Sequence, residues 1–213
     1  DTITVPSGAT ITNSGTSTGF GPTLTGSTNN QVVTVTGANA ITGETNLTFD
    51  GTDLTLGTGN IVFGTAAKGV YLGVTSATAA NLLDDYEEGT WTPTDGTGSI
   101  SFSTNVARYT KIGNIVMCTA YMVLSSAGSG GSNQIFGGLP FTSQNTTGLY
   151  TTFPQFWYNN PASIALNGVQ INPNSTTIRL IKKASDTTQT WADVVQSDMV
   201  NGGEVNMTFW YIT

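Results

Sequence analysis

The chain is 213 residues long with 6 basic and 13 acidic side chains, so only 9% of it is charged, against roughly 25% in a typical soluble domain. The net charge of −7 argues against a nucleic-acid partner, because six scattered bases form no stripe for phosphates, and no apolar run reaches the ~18 residues that would predict membrane insertion. The absence of histidine excludes Ser-His-Asp and Cys-His catalysis and histidine-ligated zinc, which leaves hydrolysis by carboxylates. We predict no bound cofactor.

Residues 1–80 form the first segment, in which short apolar pairs alternate with polar residues. Alternation at period two is typical of strands with one apolar face. Between residues 46 and 66 the pattern becomes a seven-residue repeat, NLTFDGT, DLTLGTG and NIVFGTA, with turn chemistry at Asp50-Gly51. Apolar spacings of two and five, with poor helix formers between them, argue against a coiled coil. Each unit is predicted to be a very short strand and a tight turn.

A single unit of this repeat cannot be stable alone, because it has only two apolar side chains and must stack on neighbours. The apolar stripe is too thin for burial within one chain, so we predict several identical chains that share one axial core. The residues assigned to this shared core are Leu47, Phe49, Leu54, Leu56, Ile61 and Phe63, together with Leu82 and Tyr86 from the next segment.

Residues 81–89, NLLDDYEEG, are predicted to form a short helical joint. Asn81 suits an N-cap, Asp84 and Asp85 lie near the N-terminal end of the helix dipole, and Gly89 suits the position just past the C-terminus. The four carboxylates of this segment also suggest a cation site. On a helix, however, they would radiate around a turn instead of converging, and we predict that no metal is bound.

Residues 90–213 have the size of one globular domain. Short apolar runs recur between turns rich in glycine, asparagine and proline, which predicts an antiparallel β-sandwich with a jelly-roll-like arrangement. Cys118 has no second cysteine to pair with, and its apolar neighbours predict a buried hydrophobe. The predicted strands are 106–111, 115–124, 133–136, 149–156, 163–171, 176–182 and 204–212.

Three motifs follow one another in the second half of the chain and precede a terminal FWYIT. They are EEGTWTPT at 87–94, RYTKIGN at 108–114 and GLPFTS at 138–143. Together with the upstream strings NLTFDGTDLTL and GTAAKGVYLG, they resemble the C-terminal part of tail fibre proteins of tailed bacteriophages. The resemblance covers the chain from about residue 46 onward.

This resemblance implies an all-β, homotrimeric fibre. Residues 1–80 would be an interwoven β shaft, 81–89 the joint, and 90–213 a head that binds a host cell-surface glycan or outer-membrane protein without covalent chemistry. The place of action would be the virion, outside the bacterial cell, and an N-terminal part would connect the chain to the rest of the fibre and the tail. The start at Asp1 predicts a segment or a processed product.

The first candidate receptor-binding residues lie in an uncharged stretch of 67 residues, 112–178, which holds most of the aromatic side chains of the head. Aromatic faces cover the apolar side of a sugar ring while amides and hydroxyls exchange hydrogen bonds with its hydroxyls, so this composition suits neutral sugars. Packing in the core or between subunits is the alternative, although alternation along a strand allows only half of the cluster to be buried. The candidates are Trp157, Tyr158, Asn159 and Asn160.

The second candidate site is the only basic pair in the chain, Lys182-Lys183, with Asp186 and Trp191 nearby in sequence. These residues could bind an acidic cell-surface polymer. A solvated strand end is the alternative interpretation of the lysine pair.

Two further functions stay open at the level of sequence. A depolymerase would need two carboxyl groups about 5–10 Å apart across a sugar. A bacterial surface adhesin or a purely structural fibre segment fits the composition equally well, and only the ordered motifs favour the phage fibre. The carboxylates that the head offers for catalysis are Asp95, Asp186, Asp193, Asp198 and Glu204.

Overall fold

The computed structural model of the chain divides into two compact units, Asp1–Gly64 and Thr65–Thr213. The described residues form 17 strands and two short 3-10 turns, and none of them lies in an α-helix, which confirms the predicted all-β class. No helix in this part of the chain is long and apolar enough to cross a membrane. The residues that the structure describes are 7, 23–25, 30–37, 40–128, 133, 135–153, 157–159, 166–183 and 190–213.

The first unit is a small sheet built around one long strand. Its strands are β1 (Thr23–Thr25), β2 (Gln31–Gly37), β3 (Ala40–Phe49) and β4 (Leu54–Leu56). Strand β3 pairs antiparallel with β2 and β4 and parallel with β1. The β3–β4 turn is the one predicted at Asp50-Gly51: the Asp50 carboxylate accepts hydrogen bonds from the backbone N–H groups of Thr52 and Asp53, at 2.8 and 2.7 Å.

The seven-residue repeat leaves its apolar side chains uncovered. Leu54 is 65% exposed and Ile61 is 68% exposed, and every residue from 51 to 68 is exposed. The third repeat unit, unlike the second, does not form a strand. Within the described residues this stripe is therefore largely exposed, and only Leu47 is partly buried. Its members, all at least partly exposed, are Leu47, Phe49, Leu54, Leu56, Ile61 and Phe63.

The predicted helix over 81–89 is wrong, because the segment is extended. A 3-10 turn, Ala79–Asn81, precedes a short antiparallel pairing of β5 (Val70–Tyr71) with β6 (Leu82–Leu83). The following residues form β7 (Tyr86–Thr90), which joins a larger sheet of the second unit. Leu82 is partly buried in this arrangement, whereas the Tyr86 side chain is exposed.

Charge repulsion and strand pairing explain why this segment is extended. On a helix, Asp84 would lie three and four positions from Glu87 and Glu88, and like charges at these spacings destabilise a helix. In β7, Glu87 and Glu88 instead point to opposite faces, where they accept hydrogen bonds from the hydroxyls of Tyr109 and Tyr86, respectively. The carboxylates do not converge, and among the described residues no group of three or more metal-ligating side chains is found.

The second unit contains two larger antiparallel sheets. Their remaining strands are β8 (Thr94–Asp95), β9 (Ser101–Ile112), β10 (Ile115–Ser126), β11 (Ile135–Gly137), β12 (Thr151–Phe153), β13 (Trp157–Asn159), β14 (Leu166–Ile171), β15 (Ile178–Lys183), β16 (Trp191–Asp193) and β17 (Glu204–Ile212). The five-stranded sheet has the order β13-β17-β10-β9-β7. The six-stranded sheet has the order β12-β14-β15-β11-β8, with β16 paired to β15. A second 3-10 turn, Gln196–Asp198, follows β16. Each of the seven predicted strands overlaps one of these.

The two sheets bury a common hydrophobic core, as a β-sandwich does. Every second residue of β10 and of β17 is buried, which is the alternation expected of strands with one inward face. Aromatic rings meet between the sheets: the centroids of Phe102 and Phe136 are 5.9 Å apart, and those of Phe153 and Phe209 are 6.2 Å apart. The predicted antiparallel sheets of the head are therefore present.

Cys118 lies on the inward face of β10 and is fully buried. Burial raises the pKa of its thiol to about 12, so the group stays protonated and unreactive near neutral pH. The prediction that Cys118 is a small buried hydrophobe is confirmed.

Residues of the ordered motifs pack into the core. Trp91 is buried, its ring lies edge-on to Phe209 with centroids 6.2 Å apart, and its indole N–H donates to the Arg108 carbonyl at 3.2 Å. Leu139 of the GLPF motif is buried as well. Trp91 and Leu139 therefore belong to the framework of the second unit.

Replacing Tyr211 with phenylalanine is expected to cost about 1–3 kcal/mol of unfolding free energy. The fully buried Tyr211 hydroxyl donates to the Phe141 carbonyl at 2.9 Å and accepts from the Phe141 N–H at 3.2 Å, and burial raises its pKa, so it stays a donor. Denaturant unfolding measures the change. The exposed Tyr150 provides the control, since Tyr150→Phe should change stability by less than about 0.5 kcal/mol. Equal effects of the two variants would contradict the role of this hydroxyl.

Candidate functional site

A cleft of about 390 Å³ opens on the outer face of the six-stranded sheet. The face is identified by β15, in which Arg179 lies between the buried residues Ile178 and Leu180 and points the other way. The lining residues that matter for the chemistry of the cleft are Thr152, Phe153, Gln170, Arg179, Trp191 and Asp193.

Strand register brings these residues together although they are distant in sequence. Thr152 of β12 lies opposite Gln170 of β14, which lies opposite Arg179 of β15. In the neighbouring row, Asp193 of β16 lies opposite Ile181 of β15. Because directly opposite residues of antiparallel strands project from the same face, one row supplies three polar side chains and the next supplies the carboxylate.

An ion pair and two amide contacts fix the polar side of the cleft. The Arg179 guanidinium donates to Asp193 Oδ1 from Nη2 at 2.6 Å and from Nε at 3.1 Å, and to Gln170 Oε1 from Nη1 at 2.9 Å. The second carboxylate oxygen, Asp193 Oδ2, accepts from Asn133 Nδ2 at 2.7 Å. The positive and negative charges cancel inside the cleft, and each side chain is held in place by its neighbours.

Trp191 forms the apolar side of the cleft, with Phe153 nearby in the lining. Trp191 is 65% exposed, which leaves most of a large indole surface in contact with solvent. An exposed aromatic ring beside fixed hydrogen-bonding groups can cover the apolar C–H face of a sugar while the polar groups meet its hydroxyls. Thr152 and Gln170 are neutral groups of this kind.

The residues of the second site predicted from the sequence lie on opposite faces of the sheet. Trp191 lines the cleft, and Lys183 lies directly opposite it in the β15–β16 pairing. Lys182 points to the other face of β15, where its ammonium pairs with the Asp198 carboxylate. The lysines therefore do not form a joint basic surface, and Asp186 lies outside the described residues.

The first predicted site is placed in part. The backbone of Trp157–Asn159 forms β13, an edge strand of the five-stranded sheet that pairs with β17. The side chains of these three residues and all of Asn160 lie outside the described part of the chain. Their role in receptor binding stays a prediction.

Arg179 and Gln170 were not predicted from the sequence, and Asp193 was predicted only as a candidate catalytic acid. One signal was available: Arg179 interrupts the apolar run Ile178, Leu180 and Ile181, and a charged residue at this place in a strand predicts an outward-facing position. Its partners, however, could be found only from the strand register.

The described carboxylates proposed for catalysis have structural partners. Asp193 is held by Arg179, and Asp198 accepts a hydrogen bond from the Val195 N–H at 2.8 Å in addition to the lysine contact. Burial acts to raise the pKa of Asp95, but hydrogen bonds from Ile100, Thr97 and Ser99 outweigh it, and the pKa is lowered below its usual value. A general acid in glycoside hydrolysis needs the opposite shift.

Comparisons of the chain with protein-family models, with curated proteins and with solved structures find no match.

Proposed function

We propose that the chain is the distal segment of a homotrimeric viral fibre, and that its head attaches to a host cell by binding a surface glycan without cleaving it. The observation that carries the binding role is the cleft in which the exposed Trp191 ring stands beside a fixed network of Arg179, Asp193 and Gln170. Its shape and composition are those of a small-molecule site, concave with an apolar wall and a few oriented polar groups.

The preferred ligand is a neutral sugar. The residues that line the cleft include one cation and one anion in direct contact, so the lining has no net charge to attract an acidic polymer, and Lys183, opposite Trp191, is the one base beside it. Discrimination would come from hydrogen bonds to Gln170 and Thr152 and from ring contact with Trp191.

The assembly of identical chains is supported by the seven-residue repeat. The described residues do not cover the apolar residues of this repeat, and exposing a continuous apolar stripe to water is unfavourable. Three chains that turn these stripes toward one axis would bury them, which is the arrangement that the tail fibre resemblance implies.

Replacing Trp191 with alanine is expected to weaken glycan binding at least about tenfold, corresponding to ~1.4 kcal/mol, since the change removes the aromatic wall. The measurement is binding of the full chain to immobilised neutral and acidic bacterial surface oligosaccharides. Binding to the neutral members should change little between low and high salt, because the cleft carries no net charge.

Tyr71→Ala is the matched control, because Tyr71 is an exposed aromatic residue that does not line the cleft. It should bind as the parent does. Equal binding by Trp191→Ala and the parent would refute the cleft as the receptor site. Release of new reducing ends from the bound polysaccharide would show a depolymerase instead of an adhesin.

A further inference from the structure

We infer that the outer face of the five-stranded sheet is the surface through which the second unit contacts a second copy of the chain. This inference rests on the assembly of identical chains proposed above and is independent of the cleft. The face is defined here as the outward side chains of β7, β9, β10 and β17, and it is called the outer face below.

Strand register places large apolar side chains side by side on the outer face. Tyr86, Ile112 and Ile115 lie in one row across β7, β9 and β10. In the adjacent row, Met117 of β10 lies opposite Trp210 of β17. Met117 is 53% exposed and Trp210 is 50% exposed, so each leaves about half of its side chain open to solvent. The covered part of Trp210 includes an edge-on contact with Phe153, with ring centroids 5.6 Å apart.

A second apolar group continues the outer face beyond a row of threonines. Val106 of β9 lies opposite Tyr121 of β10, and both are exposed. Between the two groups, Thr119 lies opposite Arg108 on one side and Thr208 on the other. Threonine side chains present methyl groups as well as hydroxyls, so this row does not prevent close packing.

The exposed apolar area fits a subunit interface in size. The seven large apolar residues of the outer face are about half exposed. With ~200 Å², the value for an aromatic side chain, as an upper value for each, the two groups together offer at most roughly 700 Å² of apolar surface, comparable with the ~300–600 Å² of the largest patch on a typical monomer. A standard interface buries about 800 Å² on each partner. The face therefore has the size of a binding surface.

The charges of the outer face favour a second copy as the occupant. Arg108 is exposed among threonines and forms none of the ion pairs found among the described residues. The same face carries the carboxylate of Glu88 and, at one end, that of Glu204, which lies opposite Val123 of β10. A neighbouring copy that turns its outer face toward the same axis would bring carboxylates of this kind toward the Arg108 guanidinium.

The experiment measures the mass of the full chain by sedimentation across a range of protein concentrations. The variant Met117→Lys/Trp210→Lys places two like charges in the middle of the apolar rows. We expect the parent to assemble, and the concentration of half-dissociation to rise at least tenfold in the variant. Because both residues are half exposed, circular dichroism should show the same strand content in the variant and the parent.

Thr119→Arg is the second variant, since an exposed polar position can be changed without opening a gap in the core, and it should also weaken assembly. Trp191→Lys is the control, because it adds a charge at another exposed tryptophan, on the other sheet. Unchanged assembly of both outer-face variants would overturn the inference, as would a parent that stays monomeric or a control that dissociates equally. Glycan binding by the dissociated variants would show that the cleft is a separate site.

Discussion

Replacing Phe209 with alanine is expected to lower the free energy of unfolding by about 3–5 kcal/mol, the range for truncating a buried aromatic side chain. Phe209 is almost fully buried, and its ring centroid lies 6.2 Å from those of Trp91 and Phe153 and 6.4 Å from that of Tyr211. These neighbours belong to the entry of the head, to the opposite sheet and to the same strand. Because they are held by different elements, no single movement can fill the cavity.

Thr208→Ala is the control for this prediction, since Thr208 is the adjacent residue of β17 and is exposed on the outer face. It should change stability by less than about 0.5 kcal/mol. Denaturant unfolding at a fixed protein concentration measures both variants, because assembly of identical chains would make the midpoint depend on concentration. A loss below about 1 kcal/mol for Phe209→Ala would be inconsistent with a core centred on this ring.

The strands of the two packed sheets could be predicted where the hydrophobic pattern of the sequence matches the burial of side chains in the fold. In β10, buried residues from Val116 to Leu124 alternate with exposed ones, and Gly113-Asn114 supplies the turn that leads back to β9. In β17, alternation continues from Val205 to Tyr211. When apolar residues alternate over nine or more positions, a strand is the structure that places all of them on one face.

The segment 81–89 could not be predicted in the same way, because its structure depends on a partner that is distant in sequence. Local features such as Asn81 and Gly89 are typical of helix ends, but a nine-residue helix is too short to be stable alone. Strand β9 pairs with all five residues of Tyr86–Thr90, and the buried Lys111 ammonium of that strand pairs with Asp85. Tertiary pairing outweighs the local helix signals here.

The candidate site shows the same limit. Trp191 and Lys183 were assigned from the sequence to one candidate site together with Lys182 and Asp186, and these two residues lie opposite each other. Arg179 and Asp193 are 14 positions apart in the sequence and meet across two paired strands. Their contact therefore depends on which strands are neighbours. Composition reveals that the residues are available, whereas strand order and register decide which of them meet.

The low charge of the chain gains a physical meaning from these contacts. Three of the six bases are held in ion pairs that join separate strands or turns. When a charge is partly removed from water, loss of its partner lowers the stability of the fold. Such pairs fix geometry and leave little free charge for recognition, which agrees with a neutral ligand and with burial between identical chains. The pairs are Lys111–Asp85, Arg179–Asp193 and Lys182–Asp198.

Replacing Gly138 with alanine is expected to lower the free energy of unfolding by at least about 4 kcal/mol, an exceptional value for a single substitution. Gly138 has φ +83°, a conformation that costs a residue with a side chain about 1–2 kcal/mol. In addition, a Cβ atom at this position would lie 2.1 Å from the Thr92 carbonyl oxygen, which is backbone and cannot turn away. Thr92 adjoins Trp91, so relieving the clash would disturb the packing of Trp91 against Phe209.

Gly148 allows the two contributions to be separated. Its φ of +84° matches that of Gly138, but a Cβ atom there would have no neighbour within 4 Å. Gly148→Ala should therefore cost only the conformational part, about 1–2 kcal/mol, and the difference between the two variants measures the clash with the Thr92 carbonyl. Denaturant unfolding of both provides the comparison. If Gly138→Ala and Gly148→Ala lose equal stability, the close approach of the GLPF segment to the Thr92 carbonyl contributes nothing to the unfolding free energy. The positive φ alone would then explain why a glycine occupies position 138.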